Sequence, residues 1–288
     1  MVKRSEALLE KIRMGGQLPT RDKLRLIVDL SVPSMLAQIT TVLMFFIDAA
    51  MVGHLGAAAS ASIGLVESTT WLMGSVLGAT STGFSVQVAH FIGANDFVRA
   101  RQVFRHALVC GLAVSLVIML VGVGIHSRLP YWLGGGADIA SGSSAYFLIF
   151  ALAMPFVLLF HLNAAMLKSS GNMHVPSMLS IAMCVLDVAF NYVFIYVLGL
   201  GVSGAALGTL CAYIVVSLSM AWVAICRNRI LALRQDTVPF RWVWDYVRNA
   251  TRISLPIAIQ SVLMSGAQVV STLIVAPLGN VAIAANSF

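Results

Sequence analysis

Charge is what this sequence has least of. Asp, Glu, Lys and Arg make up only 10% of its 288 residues, against about 25% in an ordinary soluble domain. Hydrophobic residues reach 59% and the mean hydropathy is +0.91. So much apolar surface cannot be hidden inside a soluble fold of this length, so lipid must solvate much of it. Cysteine is also scarce. Cys110, Cys184, Cys211 and Cys226 lie within or at the ends of apolar runs, with no CxxC pair. That argues against a disulfide framework or a zinc site and reads them as small buried hydrophobes. A secretory leader is not evident. The first twenty-five residues hold Lys3, Arg4, Lys11, Arg13, Arg21, Lys23 and Arg25. The apolar run behind them is longer than an h-region of about 7–15 residues and has no small-residue cleavage site, so it reads as a retained first span. HExxH and GxSxG are absent, and with them the zinc and serine routes to hydrolysis. The expectation is a protein that is not an enzyme.

What is present is a series of long apolar runs. A helix needs about 20 apolar residues to cross the hydrocarbon core. Seven candidate spans fall near 27–52, 61–90, 106–127, 143–167, 176–198, 203–226 and 252–277. Backbone groups in lipid must be satisfied internally, so these are helices. Pro33, Pro155 and Pro256 lie inside them and are expected to mark kinks. The net charge of +7 would suit nucleic acid, but the basic residues sit in short segments between the spans, not on one groove-sized surface. Seventeen of the eighteen Lys and Arg residues fall in the N-terminal segment and the alternate connections 91–105, 168–175 and 227–252; the opposite connections hold only Arg128. The excess is therefore topological and puts the N-terminus in the cytoplasm. Within 227–252, the run Phe240-Arg241-Trp242-Val243-Trp244-Asp245-Tyr246 mixes aromatic and basic residues, as a helix lying in the headgroup layer does.

The seventh span repeats the first. At an offset of 223 residues, Ser31, Val32 and Pro33 meet Ser254, Leu255 and Pro256; Leu55-Gly56 meets Leu278-Gly279; Ala59 and Ala61 meet Ala282 and Ala284. Both copies start on the same side, which makes the repeat parallel, about an axis along the membrane normal. The fold expected is an all-α membrane protein. A six-helix transmembrane lobe occupies residues 1–226, an interfacial linker 227–251, and 252–288 is the first helix of a second lobe that looks truncated at Phe288.

Ionisable groups inside a membrane cost at least about 2.5–3.5 kcal/mol, so each is a functional candidate. Asp48, Glu67 and Asp187 fall in predicted spans, and no Lys or Arg lies in a span core to pair with them. Asp48, Asn191 and Thr209 all fall roughly 8–10 Å below the outer surface at 1.5 Å per residue. Asp187 precedes Asn191 by four residues, so the two share a helix face. Two carboxylates with an amide and a hydroxyl form a candidate site for a proton or a hard cation such as Na+, and an apolar cavity suits reversible protonation. Each could instead serve as a structural hydrogen-bonding group. Glu67 is placed near the outer mouth of its span and is left out of this site. His90, His106 and His126 lie at span ends and read as interfacial; His161 is deeper and is a weak candidate. Met35, Met44 and Met51 read as packing filler.

Four stretches resemble the multidrug and toxic compound extrusion (MATE) transporters. They are Ile47-Asp48-Ala49-Ala50-Met51-Val52-Gly53-His54-Leu55-Gly56; Gly93-Ala94-Asn95-Asp96 through Ala100-Arg101; Leu167-Lys168-Ser169-Ser170-Gly171-Asn172 with Pro176; and Gly199-Leu200-Gly201-Val202-Ser203-Gly204-Ala205-Ala206 with Thr209. The resemblance implies twelve helices in two lobes, alternating access driven by H+ or Na+, organic cations or drugs as substrate, and no cofactor. It implies coupling roles for Asp48, Asp187, Asn191 and Thr209. Asp187 followed by Asn191 reverses the order in archaeal members, and the second-lobe Glu of one branch is replaced by Met264. The partners implied are the bilayer, a small organic cation and the second lobe, with a separate chain as one source of that lobe, and the location is the inner or plasma membrane. Three other readings are a lipid-linked oligosaccharide flippase of the same superfamily, a fragment or half of a split transporter, and an intramembrane aspartyl protease. The flippase would need basic residues inside its cavity. The protease would need a Gly-x-Gly-Asp motif that neither Asp48 nor Asp187 has.

Overall fold

The computed structural model describes residues 8, 11–12, 19–233 and 238–278. Lys3, Arg4, Arg13 and Arg234 of the charge pattern, and Gly279, Ala282 and Ala284 of the repeat, lie outside the described residues. Seven long helices carry the fold: α1 (Thr20–Gly53), α2 (Ala57–Gly93), α3 (Phe97–Ile125), α4 (Ala137–Ser169), α5 (His174–Tyr192), α6 (Gly201–Trp222) and α7 (Trp244–Val275). A one-turn helix, Leu129–Trp132, joins α3 to α4, and π-helical turns extend α5 over Val193–Val197 and α6 over Val223–Arg227. Pro33, Pro155 and Pro256 each lie inside a continuous helix.

Among the described residues, six of these seven helices are long and apolar enough to cross a bilayer. The remaining expected span, 61–90, is α2; it has the length, 37 residues, but is too rich in Ser, Thr and Gly to meet that apolarity. Its position explains the difference. α2 is the central helix, flanked by α3, α4 and α7, and Ser60, Ser62, Ser68, Thr70, Ser81, Ser85 and Gln87 are all buried along it. Most of these hydroxyls bond to carbonyls of their own helix, as Ser62 does to Ala58 (2.8 Å) and Ser81 to Leu77 (2.8 Å). Others join helices: Ser143 donates to the Ser62 carbonyl at 2.7 Å and Ser169 to that of Ser85 at 3.0 Å. Small residues let these backbones approach. At Gly83 an added methyl would fall on Ser254 Oγ and on the Ala250 carbonyl of α7.

The connections account for two of the motif stretches. Asn95 turns the chain after α2 at a φ of 59°, and Asp96 caps α3 by accepting the Arg99 N–H at 3.0 Å. Asn172 accepts the Val175 N–H at 3.1 Å at the start of α5. Of the four cysteines, Cys184 is buried, Cys110 and Cys211 are half-buried, and Cys226 is exposed. Cys226 corrects the expectation of burial. It lies in the π-helical turns that end α6, where Ala224 is the buried residue of Val223–Arg227.

The linker also departs from expectation. α7 begins at Trp244, ahead of the expected 252, and Phe240-Arg241-Trp242-Val243 is a non-helical strap, not a helix in the headgroup layer. The strap is held by α3 because its backbone finds partners there. Arg101 Nε donates to the Ile230 carbonyl at 2.9 Å and Arg105 to that of Val238 at 3.2 Å. The Val243 N–H donates to His106 Nε2 at 2.9 Å. From α2, Gln87 donates to the Tyr246 carbonyl at 3.0 Å. His106 is completely buried, not interfacial as its place at a span end suggested. The rings of Phe240, Trp242 and Tyr246 lie 4.9, 5.1 and 5.3 Å from its own. Its Nδ1 faces the Gln102 carbonyl at 2.7 Å, so Nδ1 carries the proton and Nε2 is the acceptor. His106→Phe keeps the aromatic packing and orphans the Val243 N–H. The expected loss is about 1 kcal/mol, or about fivefold faster local opening. Hydrogen exchange over 238–246 measures it, with unchanged exchange the contrary result.

Candidate functional site

Asp48 stands near the end of α1, Asp187 and Asn191 near the end of α5, and Thr209 in the second turn or so of α6. The turn from α5 to α6 is tight because Gly199 and Gly201 adopt φ of 67° and 56°, which side chains rarely tolerate. That turn lays α6 directly against α5. Gly204 and Gly208, spaced as in GxxxG, bring the two backbones together. A methyl at Gly204 would lie 2.8 Å from the Phe194 carbonyl oxygen. One at Gly208 would fall on Asn191 Oδ1 and 2.8 Å from its backbone nitrogen.

The close approach fixes Asn191, whose amide is the centre of the cluster. Its Nδ2 donates to Asp48 Oδ1 at 3.0 Å and to Asp187 Oδ2 at 3.1 Å. Asp187 is fully buried and Asn191 is 1% exposed, whereas Asp48 is half-buried. The carboxyl of Asp48 and the hydroxyl of Thr209 lie alongside Asp187. Asp187 Oδ1 and Asn191 Oδ1 are buried without a hydrogen-bond partner. Buried polar atoms are seldom left in that state; the Asn191 oxygen is packed against Gly208, and the open Asp187 oxygen beside a second carboxylate suits a proton or a small hard cation. No group of three or more His, Cys, Asp or Glu side chains able to hold a metal occurs among the described residues.

Asp48, Asn191 and Thr209 open onto a cavity of about 470 Å³ between α1, α2, α4, α5 and α6. That volume is within the range of drug-sized sites, about 300–1,000 Å³. Its walls include Phe45, Trp71, Tyr146, Phe150 and Tyr213. His161 lines it as well, with the Phe160 ring beside it and Tyr213 edge-on to Phe160. Met44 is buried between the core and this cavity, whereas Met35 is exposed. Glu67, left out of the site on the sequence, is a wall residue of the same cavity. Distance from a span end measures depth but not which neighbour a helix face meets, and only the packing of α2 against α4 shows that. The Gly204–Gly208 spacing was the other missed feature; its signal was in the sequence. Met264, aligned with a second-lobe acid, is exposed on α7.

The geometry now has counterparts. The MatE family model matches residues 33–193. The chain is similar to the Multidrug export protein MepA of Staphylococcus saprophyticus, 25% identical over 88% of this chain and 56% of the relative. MepA of Staphylococcus aureus (strain NCTC 8325) is 24% identical over 70% of this chain and 44% of its own. The chain thus spans about half the length of the curated relatives it matches. Among solved structures, a MOP superfamily transporter from Pyrococcus furiosus, described as having a binding pocket of reverse polarity, superimposes with a TM-score of 0.77 at 24% identity, over 83% of this chain and 53% of that one. A MATE in complex with MaL6 gives 0.78 at 23% identity over 84% and 54%. At those identities the structures establish the common fold. The family match covers more than half of the sequence and includes Asp48, Asp187 and Asn191, so the chain belongs to the MatE family of membrane transporters.

Proposed function

We propose that this chain supplies the cation-binding lobe of an antiporter that exports organic cations or drugs by alternating access, driven by H+ or Na+. The observation that carries the reading is the amide of Asn191 shared by two carboxylates. No Lys or Arg lines the cavity beside them, so the positive charge that two neighbouring carboxylates require must come from outside. An ion taken up there and released on the other side couples a gradient to the cavity's exposure, because it binds one conformation better than the other. Residues 1–226 act as the lobe, 227–243 as the linker and the chain from Trp244 on as the start of a second lobe, with the N-terminus in the cytoplasm and the protein in the plasma membrane. The relatives named as multidrug exporters support the substrate class. The flippase reading lacks support from the cavity, where a pyrophosphate would meet carboxylates and, among the described residues, no Lys or Arg.

Inverted vesicles carrying the transporter test the proposal. Adding an organic-cation substrate under an imposed H+ gradient alone, and then under an Na+ gradient alone, is expected to release the gradient in one of the two cases. Substrate accumulation with neither gradient consumed would overturn the coupling.

A further inference from the structure

We infer that Glu67 is the residue that recognises the positive charge of the substrate, in an aromatic subsite separate from the Asp48–Asp187–Asn191 cluster. The inference rests on the organic-cation reading above and divides its cavity into two sites.

The subsite is built on α2 and faces α1 and α4. Glu67 and Trp71 are four residues apart, so they share a face. Trp71 Nε1 donates to Glu67 Oε1 at 3.4 Å, which turns the carboxylate and the indole toward one place. The Phe45 ring of α1 lies 5.1 Å from that of Trp71. On α4 the rings of Tyr146 and Phe150 lie 6.3 Å apart and nearly parallel. All five residues line the cavity. Aromatic faces attract cations, and a carboxylate with no Lys or Arg on the cavity wall gives that attraction a fixed counter-charge. A delocalised or quaternary cation with an aromatic body fits this combination. A small hydrated ion does not, because it would exchange its water for ring faces.

The other acids are occupied differently. Asp48 and Asp187 are tied to each other through Asn191, whereas the Glu67 carboxylate accepts a long bond from Trp71. Two acid groups with different partners in one cavity allow substrate and coupling ion to be bound at once. Affinity for the organic cation then depends on Glu67 more than on Asp48.

The test uses the purified chain in lipid nanodiscs, titrated with tetraphenylphosphonium, whose charge is permanent, and with triphenylphosphine oxide, a neutral analogue. The wild type is expected to prefer the phosphonium. Glu67→Gln should weaken phosphonium binding about tenfold, about the worth of one charge-assisted contact, and leave the oxide unchanged. Asp48→Asn should weaken phosphonium binding less than Glu67→Gln does. A tenfold loss from Asp48→Asn with Glu67→Gln unaffected would overturn the assignment of Glu67 and leave the organic-cation reading intact. An equal loss of both ligands in Glu67→Gln would make its role structural and also overturn the assignment. A wild type that binds neither ligand, or does not distinguish them, would overturn the organic-cation reading itself.

Discussion

Asp48→Asn is expected to abolish ion-coupled export while leaving the protein inserted and folded. The substitution is nearly isosteric, and an asparagine side-chain oxygen still accepts the Asn191 amide that now reaches Asp48 at 3.0 Å. What is removed is one of the two negative charges that face a bound cation. A hydrogen bond to a charged group is worth about 1.5–3 kcal/mol, so the affinity for the coupling ion falls about 10- to 150-fold. Export depends on that ion binding one conformation better than the other, and a loss of this size removes most of the difference. Asp187→Asn should act in the same direction. It also leaves a fully buried amide in place of a buried carboxylate, so it is expected to affect expression more. Uptake of a fluorescent organic cation into inverted vesicles, set against the amount of protein inserted, checks both. Normal gradient-driven uptake by Asp48→Asn would remove the coupling role from this cluster.

Much of the fold was open to reading in the sequence because membrane helices obey a short list of physical constraints. Each run had to satisfy its own backbone, and the alternation of basic connections left little freedom in their number. The limits were set by which side of a helix meets a neighbour. α2 shows this most clearly. Its serines and threonines would be costly against lipid, yet many are buried between α3, α4 and α7 and most of these are bonded to carbonyls. The same ignorance of helix facing hid Glu67, which shares a cavity with Asp48, and put Cys226 inside when it faces out.

The cluster itself was more legible than its surroundings. Asp187 and Asn191 share a face by their spacing alone, and equal depth brought Asp48 and Thr209 to the same level. What the sequence could not show is that Asn191 is the shared donor and that two oxygens stay unpartnered beside it. His106 was hidden for another reason. Its burial depends on Phe240, Trp242 and Tyr246, which lie more than a hundred residues further along, and no local pattern around a helix end announces a strap from so far away.

Gly208→Ala is expected to be the most damaging single-methyl change near the site. The added carbon would meet Asn191 Oδ1 and lie 2.8 Å from its backbone nitrogen and 3.0 Å from its Cα. A flexible side chain could swing aside, but a backbone cannot, so α5 and α6 must separate. Overpacking of this kind costs about 1–3 kcal/mol. The functional loss should exceed that figure, because the shift moves the one amide that holds Asp48 and Asp187 together. A displaced Asn191 leaves the Asp187 carboxylate fully buried with fewer donors, a loss of about 1–3 kcal/mol or more. Gly124→Ala on α3 is the matched control, since nothing lies within 4 Å of the added methyl and alanine favours helix over glycine by about 1 kcal/mol. Thermal unfolding in detergent should therefore show Gly208→Ala less stable than the wild type and Gly124→Ala equal or more stable, with export lost in the first and kept in the second. Equal stability and equal export in both would mean that the close contact of α5 and α6 does not position Asn191.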